Sequence, residues 1–230
     1  MDPDSEKQAA AEAAAEHLHS GMIVGLGSGS TASLAVRAVG RRVAAGLDIV
    51  GIPTSERTAQ LARGLGIRLS TLDEHPAIDV TIDGADEVEQ GTLNLVKGLG
   101  GALLREKIVA AATKRLVIVV DESKLVERLR LREGPIPVEV IQFGQETTAA
   151  RLRALGAGFT LRTGPDGRPF VTDGGNFILD SRFPEARSAA ELERQLDGVV
   201  GVVEHGLFLG MTAQVIIGRG GRVDYWERSS

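Results

Sequence analysis

Residues 83–106 read DGADEVEQGTLNLVKGLGGALLRE, and the rest of the chain is organised around them. Asp83 and Asp86, Lys97, the glycines Gly98, Gly100 and Gly101, and Glu106 fall within this one short segment. Just before it, Ile78-Asp79-Val80-Thr81-Ile82 alternates branched and small polar residues, the pattern of a buried strand. Just after the glycines, residues 102–112 carry a helical pattern. The order is therefore strand, acidic turn, excursion, glycine-rich turn, helix. Such a segment can hold an anion on backbone N–H groups while carboxylates and an ammonium face the same cleft. It has the form of a catalytic site.

The same grammar extends in both directions. Ser5 and Gln8 have the spacing of a capping box, with an alanine-rich helix to about His19 and Gly21 placed to end it. A strand over 22–26, a turn over Gly27-Ser28-Gly29-Ser30-Thr31 and a helix over 32–45 follow. Residues 48–52 read as a strand, Pro53-Thr54-Ser55 as a turn, 56–65 as a helix ended by Gly66, and 67–70 as a short strand. Leu116–Val120 is a further strand, followed by Asp121-Glu122-Ser123-Lys124. Strands alternating with helices imply a parallel sheet covered on both faces.

Past Gly134-Pro135-Ile136-Pro137 the pattern changes. Strand 138–142, helix 146–155, strands 159–163 and 176–180, helix 186–196 and strand 199–203 give a βαββαβ order, the ferredoxin-like unit. Phe170–Asp173 has the composition of an extra short strand, and Ala213–Ile217 reads as a strand returning to the first domain. The expected fold is α/β: a Rossmann-like open parallel sheet with helices on both faces (1–133 and 206–230), plus a smaller ferredoxin-like α+β domain (134–205).

Composition narrows the function. The 230 residues are 43% hydrophobic and 25% charged, ordinary for a globular protein. A net charge of −5 lacks the basic surface of a general nucleic-acid binder, and 3% aromatics leave no stacking platform. A small anionic substrate stays open, because local basic residues can outweigh the global sign. With no cysteine there is no disulfide framework, thiolate metal site or cysteine nucleophile. The acidic start lacks a signal-peptide pattern, and the apolar runs are strand-sized. A soluble cytoplasmic protein with no membrane partner is the expectation.

Each candidate group carries a second reading. Gly25-Leu26-Gly27-Ser28-Gly29 has the spacing G-x-G-x-G, not the dinucleotide G-x-G-x-x-G, and no acid ends the second strand. It reads as a tight turn, or as hydroxyls and N–H groups of Ser28–Thr31 holding a phosphate at a helix start. Asp83 and Asp86 could share a divalent metal, cap and end neighbouring elements, or bind sugar hydroxyls. The charge of Lys97 competes with an ion, which favours the hydroxyls over a metal. Glu106, within Arg105-Glu106-Lys107, reads equally as a surface residue or as a cleft group. His17, His19, His75 and His205 show no metal spacing. The polar turns at Ser28–Thr31, Thr54-Ser55, Asp83–Asp86 and Lys124 all follow the carboxyl ends of expected parallel strands, where open α/β sheets bind ligands.

These residues resemble the type A ribose-5-phosphate isomerase family over nearly the whole chain. The matching blocks are Gly25–Thr31, Pro53–Ser55, Asp83–Glu87, Lys97 through Lys107, Asp121–Lys124, Pro137–Val140 and Thr172–Asn176. The resemblance implies a cofactor-free aldose–ketose isomerase of the pentose phosphate pathway, interconverting ribose 5-phosphate and ribulose 5-phosphate through an enediolate. Position by position it implies Glu106 as general base, with Asp83, Asp86 and Lys97 as its other catalytic groups. It implies substrate binding by Ser28, Gly29, Ser30, Thr31, Asp83, Gly84, Ala85, Asp86, Lys97, Gly98, Leu99, Gly100 and Lys124. A homodimer or homotetramer is implied too. Asp83 is the candidate for ring opening and Asp86 for orienting hydroxyls. Family members often carry Lys-Gly-Gly-Gly-Ala-Ala, so Leu99 stands where a glycine is usual, and its side chain is expected to point away from substrate. The rival reading is a non-catalytic sugar-phosphate sensor domain of the same fold. Such a sensor has no need of Glu106 and Lys97 together, and the chain lacks a helix-turn-helix or basic face for DNA.

Overall fold

The computed structural model describes residues 3–184 and 188–228. Helix α1 (Pro3–Glu16) is followed by β1 (Ile23–Leu26), α2 (Ser30–Ala44), β2 (Val50–Pro53), α3 (Glu56–Gly64), β3 (Arg68–Leu69) and β4 (Ile78–Asp83). Two short strands, β5 (Glu87–Glu89) and β6 (Leu95–Val96), lead to α4 (Leu103–Ala111), β7 (Thr113–Asp121), a 3₁₀ turn at Glu122–Lys124 and β8 (Leu125–Val126). Then come β9 (Ile136–Val140), α5 (Gln145–Ala154), β10 (Gly158–Leu161), β11 (Phe177–Arg182), α6 (Ala189–Asp197) and β12 (Val202–His205). The chain closes with β13 (Leu207–Phe208), β14 (Thr212–Arg219) and β15 (Arg222–Glu227).

The large sheet runs in the order β15-β14-β7-β4-β1-β2-β3, parallel except for the β14–β15 hairpin. The chain builds outward from β1 to β3, then returns to place β4 on the other side of β1. That reversal opens a crevice beyond the carboxyl ends of β1 and β4, the usual ligand position in such sheets. Strand β7 shows why the sheet is buried on both faces. Val117 and Val119 join the core beneath α1, α2 and α3, while Leu116, Ile118 and Val120 join a second core with Ala110 of α4. Alternate side chains of a strand must go to opposite faces.

The second sheet is antiparallel throughout, in the order β10-β11-β9-β12. With α5 and α6 this is the expected βαββαβ unit. Ile136, Val138 and Val140 of β9 pack with Ala149 and Leu152 of α5 and Leu192 and Leu196 of α6. The intervening Glu139 therefore faces the other way. We propose residues 134–205 as an inserted domain, on the ground that this sheet and both its helices lie within them; limited proteolysis would test the boundary. Val96, Leu129, Leu131 and Leu207 join the same core from outside that range.

Several local expectations are corrected. Residues 87–96 form strands, and with β8 and β13 they make a third sheet, β13-β6-β5-β8. Strands of two or three residues are too short to show an alternation in sequence. Strand β15 was not foreseen either; Gly220 and Gly221, both at positive φ, turn the chain into it. Phe170–Asp173 forms no strand. Only an isolated bridge joins Thr163 to Pro169, and a proline cannot donate to a ladder. Helix α1 already includes Pro3, so Ser5 is not its cap, and it ends at Glu16. Gly21, at φ 91°, instead turns the chain into β1 with its N–H donated to Asp48 O. The helix expected from Ala186 begins at Ala189, capped by Ser188 Oγ accepting from Glu191 N; Ala186 itself lies outside the described residues.

Candidate active site

Strand β4 ends at Asp83 beside the end of β1, and the two strands are tied there by Gly27 N–H donating to Ile82 O (2.9 Å). A methyl group at position 27 would lie 2.2 Å from Asp83 Oδ1, so this approach requires glycine. Asp83 Oδ1 accepts from Ser28 N (3.1 Å) and Gly84 N (2.8 Å). Its Oδ2 lies 3.1 Å from Lys97 Nζ. Lys97 reaches this point from the end of β6, held by its own N–H on Gly206 O (2.8 Å). The ammonium also donates to Gly84 O (2.5 Å) and stands 5.5 Å from the centre of the Phe208 ring.

Glu106 completes the cluster. Its first-turn position on α4 turns it inward, so it is buried and not the surface residue that its neighbours Arg105 and Lys107 allow. Glu106 Oε2 lies 3.3 Å from Lys97 Nζ without hydrogen-bond alignment, and this buried oxygen has no hydrogen-bond partner. One ammonium thus serves two carboxylates, all three side chains at most 5% exposed. Burial raises the Glu106 carboxyl, and the Asp83 charge adds to the rise; Lys97 offsets only part of it, leaving a value of about 8. Burial also pushes Asp83 up, opposed by Lys97 and the two backbone donors. Both oxygens of Asp83 are engaged by donors, which leaves Glu106 the freer of the two to take up and release a proton. Burial alone would lower Lys97, but Asp83 and Glu106 outweigh it and hold the ammonium above the usual lysine range.

The cleft over this cluster is lined by Ser28–Thr31, Gly84–Asp86, Lys97, Gly98, Gly100, Glu106 and Lys124. At one end α2 begins with Gly29 as its N-cap, at φ 99° and without a side-chain cap. The first-turn N–H groups of Ser30, Thr31 and Ala32 are thereby available to an anion. Lys124 joins them at the end of the 3₁₀ turn, which Asp121 fixes by accepting from Ser123 N (2.9 Å). Behind the cleft Ser28 Oγ meets Thr54 Oγ1 (2.7 Å), Ser55 Oγ (2.7 Å) and Thr58 Oγ1 (3.1 Å). Ser55 also caps α3 through Thr58 N, so the expected Thr54-Ser55 turn supports Ser28 instead of lining the cleft.

Two expected site residues do not line the cleft. Asp83 lies beneath Lys97, and Leu99 turns its side chain outward (48% exposed). The Leu99 N–H still donates to Asp86 Oδ2 (2.9 Å), so the backbone keeps its role in holding the site. The glycine loop is also clamped by a residue that sequence reasoning missed. Arg162 Nη1 donates to Gly98 O (2.9 Å) and Leu99 O (3.1 Å) while Asp180 holds the guanidinium. No sequence motif marks this contact across more than sixty positions. Gly206 and Phe208, which hold Lys97, were missed for the same reason.

The described residues contain one His/Asp/Glu group with metal-like spacing: Asp197, Glu204 and His205. Lys107 already occupies it, donating to Glu204 Oε1 (2.6 Å) and His205 O (2.7 Å). No described helix is long and apolar enough to cross a membrane.

A family model described as ribose 5-phosphate isomerase A (phosphoriboisomerase A) matches residues 50–221. The ribose-5-phosphate isomerase A of Synechococcus sp. is 55% identical over 215 residues, covering 93% of each chain. The chain belongs to the ribose 5-phosphate isomerase A family. The isomerase of Gloeobacter violaceus is likewise 55% identical, over 97% of this chain and 96% of its own. Among solved structures, ribose 5-phosphate isomerase A from Methanocaldococcus jannaschii superposes with a TM-score of 0.93 at 39% identity, covering 99% of this chain and all of that one. A D-ribose-5-phosphate isomerase in complex with phospho-erythronic acid matches with a TM-score of 0.94 at 38% identity, over 99% and 100% of the two chains. The chain is accordingly an aldose–ketose isomerase, and the sensor reading falls away.

Proposed function

We propose that this isomerase interconverts ribose 5-phosphate and ribulose 5-phosphate with Glu106 as the group that carries the proton between C2 and C1. The observation carrying this reading is the unpartnered, buried Oε2 of Glu106, a residue that lines the cleft beside Lys97. Ionised, Glu106 takes the proton from C2 of the open-chain aldose, and the electron pair moves into a C1–C2 double bond, leaving charge on O1. The O2 proton passes to O1, and Glu106 returns its own proton to C1, giving the ketose. A base with a value near 8 suits this task at neutral pH. Lys97, held protonated by its two carboxylates, stabilises the oxyanion without giving up its proton.

The phosphate is assigned to the α2 N-terminus with Ser30, Thr31 and Lys124, where backbone donors, helix dipole and ammonium add. Phospho-erythronic acid, found in complex with a similar isomerase, carries a phosphate as ribose 5-phosphate does. Exchanging the roles of the two aspartates leaves the sequence argument unchanged, and their positions support the exchange. Asp86 lines the cleft and is assigned to ring opening, whereas Asp83 sits below Lys97 and holds the ammonium in place.

Proton NMR of ribose 5-phosphate in D₂O tests the reading. Deuterium entering next to the new carbonyl with the wild type, and its loss with Glu106→Gln, is the expected result. Undiminished exchange with the variant would remove Glu106 as the base. A homo-oligomer is proposed from the exposed apolar side chains Ile141, Phe143 and Val200, with sedimentation equilibrium as the check. The cytoplasm is proposed as its location because charged sugar phosphates do not cross membranes unaided; cell fractionation tests this.

A further inference from the structure

Glu139 is a buried carboxylate that the reaction does not use. It lies on β9, the strand between β11 and β12, and is 1% exposed. Its Oε1 accepts from Thr172 Oγ1 (2.8 Å) and Asn176 Nδ2 (2.9 Å). Its Oε2 is buried without a hydrogen-bond partner. The alternation along β9 sends Glu139 to the face opposite α5 and α6, which is the face turned toward α4.

A water-sized void joins Glu139 to the start of that helix, lined by Gly101, Ala102, Leu104 and Arg105 on one side and by Thr172 and Gly174 on the other. Ala102 is the N-cap of α4 and supplies no side-chain hydrogen bond. Glu106 N donates to Ala102 O, so the N–H groups of Leu103, Leu104 and Arg105 before it have no acceptor within the helix. The void is thus lined both by Glu139, one of whose oxygens lacks a donor, and by the start of a helix whose first N–H groups have no acceptor within it. A single water with two or more polar partners satisfies both.

We propose that Glu139 is a positioning residue for the isomerase: from the second sheet, through one water, it caps the first turn of α4 and so fixes where Glu106 stands. The turn at 172–176 that orients Glu139 also fixes neighbouring elements. Asp173 Oδ2 accepts from Glu56 N at the start of α3 (2.8 Å), and Arg105 Nη2 of α4 donates to Asp173 O (3.3 Å). The second sheet thus holds the catalytic helix from behind, although the substrate cleft is lined from the other side. Glu106 must meet C2 and C1 in turn, and a small displacement of a proton-carrying group is costly. The inference rests on Glu106 as the base, but its structural part can be read independently.

The experiment pairs kinetics with amide hydrogen exchange on Glu139→Gln, beside Glu106→Gln. The amide keeps an acceptor for Thr172 and Asn176 but presents N–H donors to a helix end that already has donors. The expected result is a kcat about 10-fold to 100-fold lower with KM within about twofold, as for a misplaced catalytic group. Exchange should quicken at residues 103–105 while β9 and β11 stay protected. A kcat within twofold of wild type, a KM rising in step with the loss of kcat, or unchanged exchange at 103–105 would each overturn the proposal. Should Glu139→Gln fail to fold, Thr172→Val keeps the carboxylate and removes one of its anchors. It should then show the same signature at about threefold, and unchanged exchange at 103–105 overturns the idea there too. If Glu106→Gln retains activity, the base assignment fails, and the exchange data still decide whether Glu139 caps α4.

Discussion

Adjacent residues of α4 lead into two lysine clusters that share one aromatic ring. Glu106 faces Lys97, and Lys107 faces Glu204 and His205; the two ammonium groups stand 5.5 Å and 5.0 Å from the Phe208 ring. Both lysines are largely removed from water, yet they shift in opposite directions. Burial lowers Lys107 and its one close carboxylate, Glu204, offsets this only in part. Lys97 has two carboxylates in reach and is held above the usual range. The Lys107 group is closed: Glu204 Oε1 takes both the ammonium and His205 N, and His205 Nε2 meets Asp197 Oδ1. In the Lys97 group one carboxylate is in excess, and Glu106 Oε2 is left unpaired. The same residue types give a structural tie where the carboxylate oxygen is taken up by donors and a reactive group where one buried carboxylate oxygen has no partner.

The largest test of this contrast is Glu106→Gln, which should lower kcat by about 10²–10⁴. It should also change stability in a pH-dependent way. The folded value near 8 lies above the reference 4.5, so stability is fully present below 4.5 and is lost as pH rises through about 8. The variant's Tm relative to wild type should therefore climb between pH 5 and pH 9, read by calorimetry. Lys97→Met should lower kcat by roughly 10²–10³. Because it strands two buried carboxylates, it should also cost about 3–5 kcal/mol in urea unfolding.

The wild-type pH profile tests the surplus-carboxylate account directly. The acid limb of kcat/KM should fall near pH 8, where free Glu106 loses its proton. A limb near pH 4.5 would mean that Lys97 holds Glu106 ionised. Lys107→Met sharpens the comparison from the other side. It should cost roughly 1–3 kcal/mol of stability by removing the cation paired with Glu204, and lower kcat by less than about 10-fold. The smallest effect is expected at Leu99→Gly, with kcat/KM within about twofold, because the loop uses the Leu99 N–H and not its side chain.

Much of this could be read in the sequence for identifiable reasons. Strands such as Val117–Val120 and the helices of the large sheet carry their periodicity within a few residues. The turns that end at Ser28, Asp83 and Lys124 fall at strand ends for the same reason. The third sheet escaped because β5, β6, β8 and β13 are too short for any period to show. Arg162 on the glycine loop, Phe208 under two ammoniums and Glu139 behind α4 escaped because each acts on a segment distant in the chain. Thr54 and Ser55 were placed correctly at a strand end, yet they brace Ser28 from behind.

The amino-acid sequence by itself determined the alternation of strands and helices, the carboxyl-end position of the polar turns and the family to which the chain belongs. Those features depend on local periodicity and on short blocks of residues. Only the tertiary structure decided that Glu106 is buried, that Asp83 lies against Lys97 outside the cleft lining, and that Leu99 turns away. Burial and charge pairing depend on which distant segments meet. A carboxylate with an ordinary value in water becomes a base near 8 only where the fold removes its solvent and gives it half of one ammonium.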